Sequence, residues 1–446
     1  MTNRRLKIVA ACCGVLAIGL MTAPDAIGQL AIRGGKIITM ENGPEIANGV
    51  ILIRDGRIEA VGEGLNIPGE YKVIDASDQV VMPGFVDVHS SGGMGQANER
   101  NNNVPFLTVL DTIDPASTFF EECRRNGITS AAIVPGNSTM IGGQAAVLKT
   151  TGTFVPDMAQ QRLVGMKLSM QPPSGSRMSH VATLRRELTK AKKAKAGEKV
   201  DGEEPAAESS GPASDESGDE SSGEAGSEPA AAPDAAPTAE QAQQGIETLG
   251  KVIGGELIAF IYCENAMDVG QALRLVDEFQ LRPVMVLGRN CDKAATMLAE
   301  KKLPVVLDAE MVFWREDPRT RKEEKIVTPK IFGDAGMSYM FQADTNPSRA
   351  TLGSNYLWYQ AATAVKYGLS RNDALAACTS LPAKTLGIEK QVGSIAVGKD
   401  ADIVILTGEP LATQTWVEKT IILGEVVYDR TTDERLRRLL ITAEKE

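Results

Sequence analysis

The 446-residue chain predicts an α/β fold: a closed (β/α)8, TIM-like barrel joined to a small β-sandwich built from both chain ends. Three observations predict it. In the middle of the chain, "LIAFIYC", "RPVMVLG" and "LPVVLDA" are short apolar runs separated by amphipathic stretches at Ala266 to Phe279 and Asp292 to Lys301, and strands alternating with helices require a parallel sheet. The number of such units that fits the chain favours a closed barrel over an open sheet. At the start, "LAIRGGKIITM", "GVILIRDGRIEAVGE" and "YKVIDASDQVVMPGF" are β-branched, alternating and broken by turn residues, and "GSIAVGKDADIVILTGEP" and "TIILGEVVYD" repeat that texture at the end, so the two ends form one β domain. Finally, a 43% hydrophobic content over this length buries a large core, which excludes a disordered or fibrous chain.

Taken in order, the chain begins with Arg4, Arg5 and Lys7, an apolar run from Ile8 to Met21, and small residues before Gln29. That is the order of a secretory signal, placed at residues 1–28 with cleavage near Gly28. Export to the periplasm or beyond is expected, with an uncleaved anchor or lipid attachment at Cys12 as the alternatives. The run is too short to span a bilayer and no later stretch reaches the roughly 18 residues a spanning helix needs, so the mature form has no membrane span. Residues 29–82 supply the first part of the sandwich, 83–389 the barrel, and 390–446 the rest of the sandwich and a tail. Cys123, Cys263, Cys291 and Cys378 remain after cleavage, too scattered for a disulfide framework or a structural zinc site.

Charge is concentrated in one place. The net charge is −11, yet residues 198–240 alone hold thirteen acidic residues against one basic, Lys199, and leave the body near neutral. With no basic face there is no electrostatic case for nucleic acid. The same stretch is Gly, Ser, Ala and Pro between its acids, a composition that cannot bury enough apolar surface to offset chain entropy, and it reads as a disordered insertion, a surface tether or a cation-binding segment.

In a (β/α) barrel the chemistry sits just after each strand. Asp87 and His89 close the strand in "VVMPGFVDVHSSGGMG", where His89 is either a metal ligand or a packing residue. "FIYCENAMD" places Tyr262 and Glu264 at another strand end, as substrate or metal contacts or as a half-buried ring and a solvated acid. "MSYMFQADTNPSR" ends an apolar run at Asp344, a general base, a metal ligand or a helix cap. In "IGGQAAVLKT", Gly142 and Gly143 mark a tight turn or a close backbone approach to a ligand, with Gln144 and Lys149 in reach of substrate. No Walker loop, G-x-G-x-x-G or G-x-S-x-G motif occurs, so nucleotide binding and serine hydrolysis lose support.

"MPGFVDVH", "LPAKTLGIEKQVGSIAVGKDADIVILTGEP" and "VEKTIILGEVVYD" resemble the amidohydrolase superfamily, and "PGNSTMIGGQAAVLK", "KLSMQPPSGSRMSHVATLRRELTKA" and "AMDVGQALRLVDEF" are similar to segments of its exported imidazolonepropionase-like and dihydroorotase-like members. The resemblance covers nearly all of the mature chain except the acidic insertion. It implies a metal-dependent barrel that hydrolyses C–N bonds of cyclic amides and related compounds, with a Zn-like ion activating water and an Asp moving the proton. His89 matches the first of the family's four ligand histidines and Asp344 matches the Asp. The other three positions fall on Ser91, Tyr262 and about Leu287, and the chain's only other histidine, His180, lies in a predicted helix. His89, Asp344, Glu264 and a lysine such as Lys149 or Lys167 are what remains for one divalent ion.

Two functions follow from the resemblance. One is a divergent hydrolase, with Asp344 activating water on an ion held by His89 and Glu264 while Gln144, Lys149 and Tyr262 orient a small-molecule substrate. The other, favoured by the missing histidines, is a metal-free, catalytically inactive member that binds a ligand or pairs, as a homo- or hetero-oligomer, with a related amidohydrolase.

Overall fold

A computed structural model describes residues 28–172, 175–198, 237–343 and 355–443. Most of the predicted signal segment, most of the acidic insertion and Asp344 lie outside the described residues.

The chain opens with β1 (Leu30–Ile37), β2 (Ile46–Arg54), β3 (Arg57–Glu63) and β4 (Lys72–Pro83). β2 and β3 form a hairpin closed by Asp55 and Gly56, both at positive φ, the two-residue turn that matches strand twist. β4 is long enough to serve two neighbours, running parallel to β1 along its first part and antiparallel to a C-terminal strand along Val80 to Pro83.

The central unit begins with β5 (Phe85–Ser90) and α1 (Thr118–Arg125), followed by β6 (Ile128–Ile133), β7 (Ile141–Lys149), α2 (Val155–Met158) and β8 (Ala159–Ser169). α3 (Arg177–Lys195) and α4 (Ala239–Val252) precede β9 (Ile258–Asn265), and α5 (Ala266–Phe279), β10 (Arg282–Asn290), α6 (Ala295–Lys301) and β11 (Val305–Val306) complete the sheet. A hairpin of β12 (Val312–Glu316) and β13 (Glu323–Val327) follows, then α7 (Thr328–Asp334), α8 (Leu357–Lys366), α9 (Arg371–Ala376) and α10 (Ser380–Leu386). The sheet order is β11-β10-β9-β8-β7-β6-β5.

Here the structure departs from the expected closed, all-parallel barrel. β7 runs antiparallel to both β6 and β8. The cause is loop length: residues 134–140, and the short connection through α2, are too brief for the crossover that parallel neighbours need. Among the described residues the ladder is open, with one parallel bridge beyond β11, from Val306 to Met340.

Each strand separates two apolar faces. On β9 and β10, Ile261, Cys263, Met285 and Leu287 pack with the helices, through Leu184, Val269 and Leu275. Phe260, Tyr262, Val284 and Val286 gather on the opposite face with Val86, Ala132, Val147, Val164, Val306 and Met340. All four described cysteines are free and buried.

The last strands, β14 (Ile403–Leu406), β15 (Val417–Ile422) and β16 (Glu425–Asp429), join β1–β4 in one seven-stranded sheet of order β16-β15-β14-β4-β1-β2-β3, and α11 (Glu434–Ala443) ends the described chain. The two sheets are tied by a buried ion triad: Lys149 Nζ, at the end of β7, reaches Asp400 Oδ2 at 2.9 Å and Asp402 Oδ2 at 2.7 Å.

Candidate functional site

A cavity of about 1010 Å³ opens where β5, β6, β8, β9 and β11 end. Its wall includes the Ser90 to Gly95 loop after β5, Asn137 after β6, Gln171 after β8, Tyr262 and Glu264 at the end of β9, Asp308 after β11, and Gln342. The β7 strand runs the other way, so its Lys149 end faces the opposite side.

This placement sorts the residues singled out from sequence. His89, Tyr262 and Glu264 come together on the cavity wall. Lys149 does not, because its ammonium is consumed by Asp400 and Asp402 and orders the joint between the sheets rather than a substrate. Gln144 is also elsewhere: its Nε2 donates to the Pro105 carbonyl at 3.1 Å and to Thr248 Oγ1 at 3.4 Å, fastening a loop to α4. Ser91 lines the cavity, whereas Leu287 is buried in the helix-facing core. His180 sits in α3, where its Nε2 lies 2.8 Å from the Ser169 carbonyl oxygen. Asp344 lies outside the described residues.

Sequence reasoning underrated Lys167 and missed Asn137 and Gln342. Lys167, on β8, is fully buried, and its stem passes Gly142, where an added Cβ would sit 3.0 Å from Lys167 Cβ. At Gly143 the same addition would meet the Leu107 carbonyl oxygen at 2.7 Å. The Gly-Gly pair is therefore neither a turn nor a ligand cradle but a place inside β7 where two neighbours press close.

The protons around His89 follow from its partners. Gln342 Nε2 donates to the Leu307 carbonyl at 2.9 Å, which leaves Gln342 Oε1 facing His89 Nδ1 at 2.7 Å. An amide oxygen only accepts, so Nδ1 carries the hydrogen. Lys167 Nζ lies 3.2 Å from His89 Nε2, hydrogen-bonds Asn137 Oδ1, and stands 5.3 Å from the centre of the Tyr262 ring. Burial, reinforced by the Lys167 charge, holds the His89 ring pKa well below its ordinary value, so the ring is neutral and Nε2 is an acceptor. Burial likewise lowers the Lys167 amine to about 7 and raises the Asp87 carboxyl to about 8, the latter against two backbone N–H groups, those of His89 and Ala343. The Tyr262 hydroxyl hydrogen-bonds Glu264 Oε2.

A catalytic divalent ion does not fit the described part of this wall. No group of three or more His, Cys, Asp or Glu side chains converges among the described residues. The one lone pair His89 has to give, on Nε2, accepts from Lys167, and a metal there would face an amine that carries charge over part of the neutral range. What remains is a hydrogen-bonding wall. The charged Lys167 only donates, so it takes the Asn137 oxygen and leaves the Asn137 NH₂ group without a partner among the described residues, while Glu264 supplies acceptors.

The family model for the amidohydrolase family matches residues 281–427. Amidohydrolase tasK of Hapsidospora irregularis is 23% identical over 409 residues, which cover 83% of this chain and 39% of that protein. A 5-methylthioadenosine/S-adenosylhomocysteine deaminase of Desulforamulus reducens is 39% identical over 89 residues, 19% of this chain and 20% of the deaminase. The chain thus spans well under two thirds of the curated relatives it matches. In fold it is similar to the crystal structure of an amidohydrolase from Thermotoga maritima MSB8, with a TM-score of 0.71 and 24% identity over 90% of this chain and 100% of that one.

Proposed function

We propose that the chain is a ligand-binding member of the amidohydrolase superfamily, impaired in metal-assisted hydrolysis and acting as a binding protein or as the partner of an active homologue, a reading supported by the family-model match over residues 281–427 and by the relatives it resembles. The observation that carries this reading is the occupied lone pair of His89: the one histidine left in place of the family set accepts from Lys167. The ligand is a small polar molecule with a carbonyl oxygen for the Asn137 NH₂ group and an N–H for Glu264, which is the chemistry of a cyclic amide or ureide.

The rest of the reading is drawn from the sequence and from bridging contacts. Closure of the central sheet into a barrel through residues 339–343 is supported by the Val306 to Met340 bridge and by the His89 to Gln342 hydrogen bond across to β5. Export rests on the basic, apolar and small-residue order of residues 1–28. A second reading, hydrolysis of non-peptide C–N bonds, is favoured by one feature, the Glu264 carboxylate on the cavity wall beside Tyr262, a group able to accept a proton from water.

Elemental analysis of the mature chain, purified without chelators and again after excess zinc or manganese, separates the two when run beside cyclic-amide hydrolysis and binding assays. We expect far less than one ion per chain, no turnover, and thermal stabilisation by cyclic amides or ureides. One ion per chain that is lost in Asp344→Ala, with turnover, would establish the hydrolase instead.

A further inference from the structure

We propose that the Lys167 side chain is the resident cation of this site: it stands where an ion bound to His89 Nε2 would stand, and its N–H groups set the hydrogen-bonding polarity of the cavity wall. The inference rests on the metal-free reading above and says what does the metal's organising work. An alkylammonium has three N–H directions, and three partners surround this one. They are Asn137 Oδ1, His89 Nε2 at 3.2 Å and the face of the Tyr262 ring at 5.3 Å from its centre. Each is a lone pair or a π face, so every one of them is oriented by a donor.

The wall is built for that lysine. Gly142 leaves room for its stem, with Pro135 Cβ and Lys167 Cβ both about 3 Å from where a methyl would go. Ser169, two residues on along β8, donates from Oγ to the Asn137 carbonyl at 2.6 Å and fixes the loop whose side chain caps the amine. Lys167 is fully buried, yet three of the groups around it, His89, Asn137 and Tyr262, line the cavity. Its influence on a ligand therefore passes through those three, and it is a positioning residue. With the amine in place, Asn137 must turn its NH₂ to the ligand and His89 must hold its proton on Nδ1. Without it, Asn137 is free to reverse and His89, its Nδ1 proton still held by Gln342, is left with an unpaired Nε2, so the wall no longer distinguishes a ligand acceptor from a donor.

The chain's two histidines make this testable in one spectrum. His180 Nε2 points at a carbonyl oxygen and must carry a proton, whereas His89 must carry its proton on Nδ1, so the two rings are opposite in Nε2 protonation. We would label the full mature chain with 15N-histidine, record long-range 15N–1H correlations near pH 6, where the Lys167 amine is charged, and assign the rings with His180→Gln. The expected result is a neutral Nδ1–H ring for His89, whose Nε2 signal moves toward that of an unbonded imidazole nitrogen in Lys167→Met. An Nε2–H or doubly protonated His89, or a signal unmoved by Lys167→Met, would overturn the inference. If Lys167→Met does not fold, the wild-type Nε2 shift decides: a hydrogen-bonded value supports the inference and that of an unbonded imidazole nitrogen overturns it. The two readings fail separately. A metal-free, inactive chain with an Nε2–H His89 sinks only this inference, whereas an Nδ1–H His89 in a chain that hydrolyses cyclic amides sinks only the proposed function.

Discussion

Replacing Lys149 by Met tests whether that lysine holds the two sheets together or serves a ligand. Lys149, Asp400 and Asp402 are 5%, 7% and 4% exposed, so removing the ammonium leaves two carboxylates in a poorly solvated place. Asp400 keeps the guanidinium of Arg57, with Nη1 at 3.5 Å on its solvent side, and is the less affected. Asp402 keeps only the Leu423 backbone N–H at 3.1 Å among its described partners, and it bears the loss. Removing one partner of a buried pair costs about 3–5 kcal/mol, and the help from Arg57 argues for the lower end, about 3 kcal/mol. For a body of this size that is a fall in Tm of about 4 °C. Urea unfolding and thermal melts of Lys149→Met, with cyclic-amide binding measured alongside, are the assay. Adding Asp402→Asn removes the stranded charge and should restore most of the loss, because a neutral side chain costs far less to bury. A loss under about 1 kcal/mol together with abolished binding would refute the reasoning and return Lys149 to the ligand site.

Two further predictions probe the cavity wall. Gly142→Ala forces a methyl against the stem of Lys167 and should destabilise the fold by about 1–3 kcal/mol in urea unfolding. Gly270→Ala, in α5 where the methyl meets nothing, should instead gain about 0.5–1 kcal/mol. The second concerns pH. Asp87 holds its proton to about pH 8 in the folded chain but releases it near the ordinary carboxyl value when unfolded, so its contribution is present in acid and is lost as pH rises through that window. Lys167 has the opposite sign: with its folded value near 7, stability is lost as pH falls from the ordinary lysine range toward 7. Each contributes a slope of up to about 1.4 kcal/mol per pH unit. Unfolding free energies between pH 5 and 10 should show Asp87→Asn flattening the falling limb and Lys167→Met the rising one, and unchanged slopes in both variants would count against the shifts assigned to these two buried groups.

How far the sequence revealed the fold depended on whether the deciding force was local. Strand texture at both ends is a property of side chains alternating along one strand, and it assigned both ends to one β domain, expected as a sandwich, whereas only the pairing shows that β1–β4 and β14–β16 share a single seven-stranded sheet. The direction of β7 is not such a property. "IGGQAAVLKT" reads equally well in either direction, and only the short connections on both sides make it antiparallel. That single reversal moved Lys149 from the predicted site to the far side of the sheet. Gly142 and Gly143 were visible as a demand for close approach, but the approaching groups, the Lys167 stem and the Leu107 carbonyl, are distant in sequence and carry no local mark.

The site follows the same rule at atomic scale. Strand ends share one rim by topology, so His89, Tyr262 and Glu264 could be brought to one cavity from sequence. Which lone pairs are free on that rim is decided by contacts between strands. The one local trace was Lys167 itself, a lysine inside the apolar run "LVGMKLSM", where a charge must find partners or be absent. Its partner turned out to be the very nitrogen that a metal would need. Restoring a histidine at Ser91 would add a ligand beside a nitrogen already hydrogen-bonded to an amine, and the ion would still have to displace Lys167 from Nε2. A wall of this kind becomes a metal site only if the lysine leaves first, which makes Lys167, rather than the absent histidines, the residue that fixes the present character of the site.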